Sequence, residues 1–450
     1  MKKLVSLLAA VVLFPAAANA NILDNVKLTG EIQTIASTVK NNDTMTHADG
    51  WTYDFYNRGA RTQALAGLSF DLQKNVTANL LFQYVYAWGD NNYTNQGFSN
   101  ADGVKLAIAN LAFSDLFDAL DVTVGRQFYG EDGSAIIYFG PRNYNAEGSG
   151  YASALDAVTV RYNGEGKTLT LLAGKAADVY NTFRQPSKGD SHANILGADV
   201  KLDVTDALTA NVYGYDLSNV VFWDYRSSPP TMASLGESNH VAVYGGKLGW
   251  TTDGFRIGAE YARNFVGDHY FKKEVTSPYM IKADIAADIN AITARGTFLY
   301  AKSVKEFHNE IGIDTPLPFI QMGNYAPGLL IGHRLSFGVT DSVFDYGMDG
   351  VRMFNIGFDY KPTDKWTVSL DGFSFQGRGA DHSATLEADL TAKYAHNEYV
   401  EFFGGVGYAK NGGDEMDRAW TAGHLGTGST YKESLGSENY KGQVGMLIKF

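Results

Sequence analysis

Connections of two sizes take turns along this chain. Eighteen segments with alternating apolar and polar residues are readable between residues 26 and 450, most of them about 10–13 residues long. Every second connection is tiny and rich in Gly, Asp, Asn or Pro: 73–75, 116–118, 164–166, 205–206, 252–253, 362–364 and 396–397. Gly tolerates positive φ, Pro pre-sets φ, and Asn and Asp bond their own backbone, so these are tight-turn chemistries. The intervening connections are long: 39–59, 89–102, 129–153, 179–190, 217–238, 265–278, 303–349 and 410–438, with only 377–381 short. A tilted strand of about 10 residues crosses the hydrocarbon of a bilayer. Short turns at one end and long loops at the other fit a closed up-and-down barrel, whereas a soluble sandwich has no reason to sort its loops.

Parity supports the same reading. Leu80, Phe82, Tyr84 and Tyr86 alternate with Asn79 and Gln83. Ala64, Ala66, Leu68, Phe70 and Leu72 alternate with Gln63, Ser69 and Asp71, and Leu386, Ala388, Leu390, Ala392 and Tyr394 with Glu387, Asp389 and Lys393. Side chains two apart share a face, so one face is apolar and the other charged. Trp88, Tyr162, Trp250, Tyr261, Tyr360, Trp366, Tyr394 and Phe450 sit near segment ends, where membrane barrels carry aromatic girdles.

Alternation alone does not say which face is inside; the chain ends do. Lys2 and Lys3, an apolar stretch over 4–18 and Ala18-Asn19-Ala20 have the form of a secretory signal peptide over 1–20, leaving 21–450 as one barrel domain. The final segment carries Tyr440, Val444, Met446, Ile448 and Phe450 on one parity and Lys441, Gln443 and Lys449 on the other. A last strand closed by Phe resembles that of bacterial outer-membrane barrels, where the insertion machinery reads it. It is expected to pair with the first strand, where Val26, Leu28 and Ile32 face out, because a sheet in lipid cannot leave an open edge.

Composition narrows the function classes. With 49 Gly, 27 Tyr, 26 Phe and 13% aromatics, the mean hydropathy is still −0.19. That suits an apolar exterior around a polar interior. No Cys is present, which removes disulfides and thiolate metal sites and agrees with an oxidising periplasm. The net charge of −12, or −14 once Lys2 and Lys3 leave with residues 1–20, argues against nucleic acid as a partner. Gly-x-Ser-x-Gly, His-Glu-x-x-His and phosphate-cradling loops do not occur, so no enzyme, cofactor or metal site is expected.

The candidate functional residues are charges on the inward parity. They are Lys27, Arg161, Lys201, Lys247, Arg256, Lys282, Arg295 and Lys393, against Glu31, Asp199, Glu260, Asp284, Asp371, Glu387, Asp389 and Glu401. The two sets balance, so the lumen is expected to be mixed rather than lined by one sign. Within 303–349, the run from Leu329 to Phe337 is either a further strand, which with a partner raises the count to 20, or part of a loop folded over or into the pore as a constriction.

The segment Val122-Thr123-Val124-Gly125-Arg126-Gln127-Phe128-Tyr129-Gly130 leads to Gly140-Pro141-Arg142-Asn143-Tyr144-Asn145 and then to Leu155-Asp156-Ala157-Val158-Thr159-Val160-Arg161-Tyr162. This resembles the alginate-export family of outer-membrane barrels, and residues 384–408 are similar to it as well. The resemblance implies an 18-stranded monomer that passes polar or anionic substrates, with polyuronate as the founding case. It carries over Arg126, Arg142 and Arg161 as anion contacts, since guanidinium forks suit carboxylates. Arg126 shares the parity of Val122 and Val124, so facing the pore requires a bulge or a position above the membrane. The expectation is an outer-membrane channel for passive passage of small polar or anionic solutes. An anionic-polysaccharide export pore and a structural or adhesive barrel are the alternatives. Expected partners are outer-membrane lipid and lipopolysaccharide, the insertion machinery through the Phe450 strand, and the solute or saccharide.

Overall fold

The computed structural model describes residues 25–46, 52–88, 104–141, 154–176, 193–218, 221–224, 231–234, 240–266, 279–302, 325, 327–330, 350–377, 384–410 and 438–450. The strands begin with β1 (Val26–Thr46), β2 (Thr52–Gln73), β3 (Val76–Ala87), β4 (Val104–Leu116), β5 (Leu120–Gln127), β6 (Tyr129–Gly130) and β7 (Tyr138–Phe139). They continue with β8 (Leu155–Gly164), β9 (Lys167–Ala176), β10 (Ala193–Asp203), β11 (Leu208–Ser218), β12 (Val221–Asp224), β13 (Thr231–Ser234), β14 (His240–Thr252) and β15 (Phe255–Val266). The last are β16 (Tyr279–Ile289), β17 (Ile292–Lys302), β18 (Gly350–Thr363), β19 (Trp366–Gly377), β20 (Thr385–Ala395), β21 (Val400–Lys410) and β22 (Glu438–Lys449). Eighteen of them form one antiparallel sheet, while β6–β7 and β12–β13 are two-stranded hairpins.

The sheet closes on itself. β1 pairs with β22 from Glu31↔Lys449 to Asn41↔Asn439. Gly30 N–H donates to the Phe450 carbonyl at 2.8 Å, and Phe450 N–H to the Gly30 carbonyl at 2.9 Å. The last backbone groups of the chain thus find partners, which lipid would deny them. A Cβ on Gly30 would lie 2.6 Å from Cζ of Phe450, so only glycine leaves room for the terminal ring.

The turns at one rim use the expected chemistry. Asn75, Gly166, Gly254 and Asn290 adopt φ of 68°, 63°, 77° and 56°. This left-handed region is open to Gly and tolerated by Asn.

The outward parity is apolar and exposed, as at Leu68's neighbour Leu72, Leu111, Val124, Leu171, Leu248, Ile285, Ile356, Leu370, Leu390 and Val444. The inward parity is polar and buried at Gln63, Gln83, Asn355, Asp371, Glu387 and Asp389. Burial is therefore inverted relative to a water-soluble barrel: large apolar side chains project from the outer wall, where lipid covers them. Trp88, Trp250, Tyr261, Tyr360, Trp366 and Phe450 are exposed on that wall. Trp366 packs on Tyr394 with ring centroids 4.8 Å apart.

Three connections differ from expectation. The 39–59 connection is mostly strand, since β1 and β2 stay paired out to Thr46↔Thr52, where Thr and Tyr favour extended backbone. Connections 129–153 and 217–238 contain the hairpins β6–β7 and β12–β13. The sheet has 18 strands and not 20: Leu329 and Leu330 lie outside any strand, and 331–337 lie outside the described residues. The segment 1–20 also lies outside them.

Candidate functional site: the charged lumen

Register organises the inward charges into rows that cross the wall. One row runs Arg295–Gly357–Asp371–Asp389–Gly407–Lys441 over β17 to β22. Glycine stands between the opposite charges at both ends of it. Arg295 reaches past Gly357, and its Nη2 donates to Asp371 Oδ2 at 2.7 Å. The same guanidinium is bidentate on Asp359, with Nε and Nη2 each 3.0 Å from a carboxylate oxygen. A Cβ on Gly357 would lie 2.4 Å from Asp371 Oδ1 and 2.7 Å from Arg295 Cζ. Ser369 and Asn355 complete the shell by donating to Asp359 at 2.6 Å and to Asp371 at 3.2 Å. Bidentate, charge-assisted contacts of this kind are the directional ones.

The other end of the row holds a piece of the chain itself. Leu329 N–H donates to Asp389 Oδ2 and Leu330 N–H to Glu387 Oε1, each at 2.8 Å. Lys441 Nζ donates to the Leu329 carbonyl at 2.9 Å. Glu387, Asp389 and Lys441 are each 3% exposed, and each bonds the backbone of Leu329 or Leu330, while Asp389 Oδ1 has no hydrogen-bond partner among the described residues. Gly405 and Gly407 on β21 leave the groove that Leu329 fills: a Cβ on Gly407 would lie 3.2 Å from Leu329 Cβ and 2.5 Å from Asp389 Oδ1. Tyr325 lies against β16, with Lys282 Nζ 4.9 Å from its ring centroid, and burial pushes its hydroxyl pKa up. Leu299, Ala301, Val351, Met353, Phe373 and Phe375 add a buried apolar patch on the inward parity of β17 to β19. Tyr325, Leu329 and Leu330 are thus bound to the inner wall. The substitution Gly407→Val is expected to dislodge Leu329 and raise single-channel conductance in planar bilayers, with the barrel still migrating as a folded species on gels.

A second segment enters from the opposite side. Residues 128–141 form the β6–β7 hairpin, and Ala135, Ile136, Ile137, Tyr138 and Phe139 are buried. Tyr129 and Tyr215 hydroxyls are 3.3 Å apart, and Glu131 lies 4.0 Å from Lys247 across the lumen. Removal from water raises the Tyr129 pKa. The apolar run 135–139 inside a polar loop was the sequence signal for this insertion; a surface loop has no use for it. A cavity of about 1150 Å³ lies beneath the segment, and its walls carry Arg161, Lys201, Lys247, Asp199, Glu260 and Asp284. Lys247 is 3.8 Å from Glu260, Lys282 is 2.8 Å from Asp284, and Tyr213 donates to Glu260 at 2.8 Å. Arg161 and Lys201 are exposed to the lumen and have no ion pair among the described residues.

The residues singled out by sequence divide clearly. Arg161, Lys247, Lys282, Glu260 and Asp284 line this cavity, whereas Arg295 and Asp389 belong to the opposite row, with Glu387 two residues from Asp389 on the same face. Arg256 pairs with Asp288 at 2.7 Å near the short-turn rim. Arg126 is a correction. It sits opposite Ala109 and Asp156 on the outward parity of Val124 and Val158, and pairs with Asp156 at 3.4 Å. No bulge turns it inward. Gln127, the next residue, faces the cavity instead, its Nε2 donating to the Ala157 carbonyl at 2.9 Å. Gly125 before it adopts φ of 120°, and a Cβ there would lie 2.4 Å from the Ala109 carbonyl. Arg142 lies outside the described residues. Asp359 and Lys441 were missed as site residues, although both occupy the charged parity.

A closed antiparallel barrel of 18 strands, apolar outside and charged inside, is an outer-membrane β-barrel. More narrowly, the chain belongs to the family of unknown function DUF6029, whose model matches residues 1–333. No curated protein matches it in sequence. Among solved structures it is similar in fold to Pseudomonas aeruginosa OccK3 (OpdO), with a TM-score of 0.56 and 10% identity over 96% of this chain and 98% of that one. P. aeruginosa OccK5 (OpdH) aligns at TM-score 0.54 and 9% identity over 95% and 99% of the two chains. Acinetobacter baumannii OccAB4 aligns at 0.54 and 8% over 96% and 100%. At these identities the likeness concerns the fold alone. The family match gives no support to the alginate-export resemblance.

Proposed function

We propose that this protein is a passive outer-membrane channel for small polar solutes, anions included. The reading rests on one observation: a charge-lined cavity of about 1150 Å³ inside a closed barrel, beneath an inserted hairpin. Tyr325, Leu329 and Leu330, bound to the facing wall, narrow the same lumen. Two segments inserted into one lumen favour passage of a small solute over polysaccharide export. Carboxylates offset most of the lumen cations, so selectivity is weak. On the wall of this cavity, Arg161 and Lys201 are the described cations without an ion pair and would attract an anion, because a pore selects by the charges it leaves uncompensated.

The purified barrel is expected to conduct ions in planar bilayers; a folded barrel that passes no current would overturn the proposal. In a salt gradient, Arg161→Ala combined with Lys201→Ala shifts the reversal potential toward cation selectivity, because the lumen then keeps its acids and loses its unpaired bases. Arg126→Ala leaves the reversal potential unchanged, since that side chain is outside the lumen. An equal shift from both substitutions would refute this assignment.

A further inference from the structure

The outer wall carries a second charge pattern, unrelated to the lumen. Across β14 to β17, Tyr244, Arg263, Tyr279 and Lys302 stand side by side in register, and Tyr300 faces Arg352 between β17 and β18. These residues share the outward parity of the exposed Tyr261, Ile281 and Phe354. Tyr261 stacks on Tyr279 at 6.3 Å between centroids, and Tyr279 lies 5.8 Å from Tyr300. Among the described residues, β14 to β18 carry no Asp or Glu on this parity, and Arg263 and Lys302 have no hydrogen bond or ion pair. Arg352 is held by the side chain of Gln376. In a chain of net charge −12, an arc of three cations without an acid is unusual.

Height identifies what meets this arc. Counting eight residues from Phe255 to Arg263, and eight from Tyr360 to Arg352, a tilted strand rises about 20 Å. Trp250 and Phe255, 5.9 Å apart, mark the short-turn interface. The arc therefore stands near the top of an apolar band about 25 Å tall, at headgroup level on the long-loop side. A lone exposed cation there would simply reach for water. Three of them, spaced by tyrosines that give a sugar face something to pack on, match a phosphorylated headgroup better.

We propose that Arg263, Lys302 and Arg352, with Tyr244, Tyr279 and Tyr300, bind the phosphate groups of a glycolipid in the outer leaflet. The guanidinium forks take the phosphate oxygens, and Lys302 contributes a point charge between them.

The test uses the full barrel in phosphatidylcholine nanodiscs doped with diphosphorylated lipid A or with its dephosphorylated form, and retained lipid is counted by native mass spectrometry. Wild-type protein is expected to retain the phosphorylated form at least about tenfold better, and the triple variant Arg263→Gln, Lys302→Gln, Arg352→Gln to lose that preference. A control with Lys74, Lys167 and Lys365 at the opposite rim changed to Gln retains it. Inorganic phosphate at matched concentration does not displace the lipid. Equal retention of the two lipid forms, an unchanged triple variant, or full displacement by phosphate would each overturn the proposal. If the triple variant does not fold, Arg263→Gln and Arg352→Gln tested singly carry the same comparison.

Discussion

Replacing residues 303–349 by a two-residue Asn-Gly turn is expected to raise single-channel conductance several-fold. Lys302 and Gly350 are direct partners in the β17–β18 ladder, so a tight turn can join them without moving either strand. The excision removes Tyr325, Leu329 and Leu330 from the lumen and leaves the closed sheet untouched. Ionic current follows the narrowest open section, and these residues take up lumen space together with the 128–141 hairpin. Glu387 and Asp389 would then face the pore without their amide donors, so the widened channel should also become more cation-selective. Planar-bilayer recordings of the two forms at equal salt decide the matter. Equal conductance would show that Tyr325, Leu329 and Leu330 do not limit flow and would leave the hairpin as the constriction.

Lys441→Met is expected to destabilise the barrel by about 3–5 kcal/mol, the cost of removing one member of a buried charge group. Lys441 lies two strands from Asp389, across Gly407, and Asp389 stands opposite Asp371 in register. With Lys441 gone, Glu387 and Asp389 stay buried beside a third carboxylate, and Arg295, the other cation of the row, is already engaged by Asp359 and Asp371. The Leu329 carbonyl loses its donor as well. The temperature at which the barrel loses its fast gel migration should fall. Adding Asp389→Asn should recover part of the loss, because the amide oxygen still accepts the Leu329 N–H and one buried charge is gone. Should the double variant melt no higher than the single one, electrostatics is not what Lys441 supplies.

Much of the barrel was legible in the sequence because its constraints are local. Side-chain parity has a period of two, turns need Gly, Asn, Asp or Pro at the bend, and lipid admits no unpaired edge. These rules are enough to give the strands, their antiparallel order and the closure of β22 on β1. They fail in the connections. Between residues 39 and 59, Asn and Asp read as loop, yet cross-strand pairing carried β1 and β2 further out.

The lumen was legible only as a set of charges. Parity placed Glu387 and Asp389 inside, and no local pattern could show that they hold the amides of Leu330 and Leu329, 57 and 60 residues earlier in the chain. Nor could it show Lys441 closing the same group from 112 residues away. Arg126 shows the same limit from the other side: a motif resemblance marked the Arg, and register gave the lumen to Gln127. The sequence by itself determined the wall, because each strand residue faces either lipid or lumen and that choice repeats every two residues. Tertiary structure alone decided what occupies the lumen, because an inserted segment is fixed by hydrogen bonds and glycine-lined grooves between strands far apart in the chain.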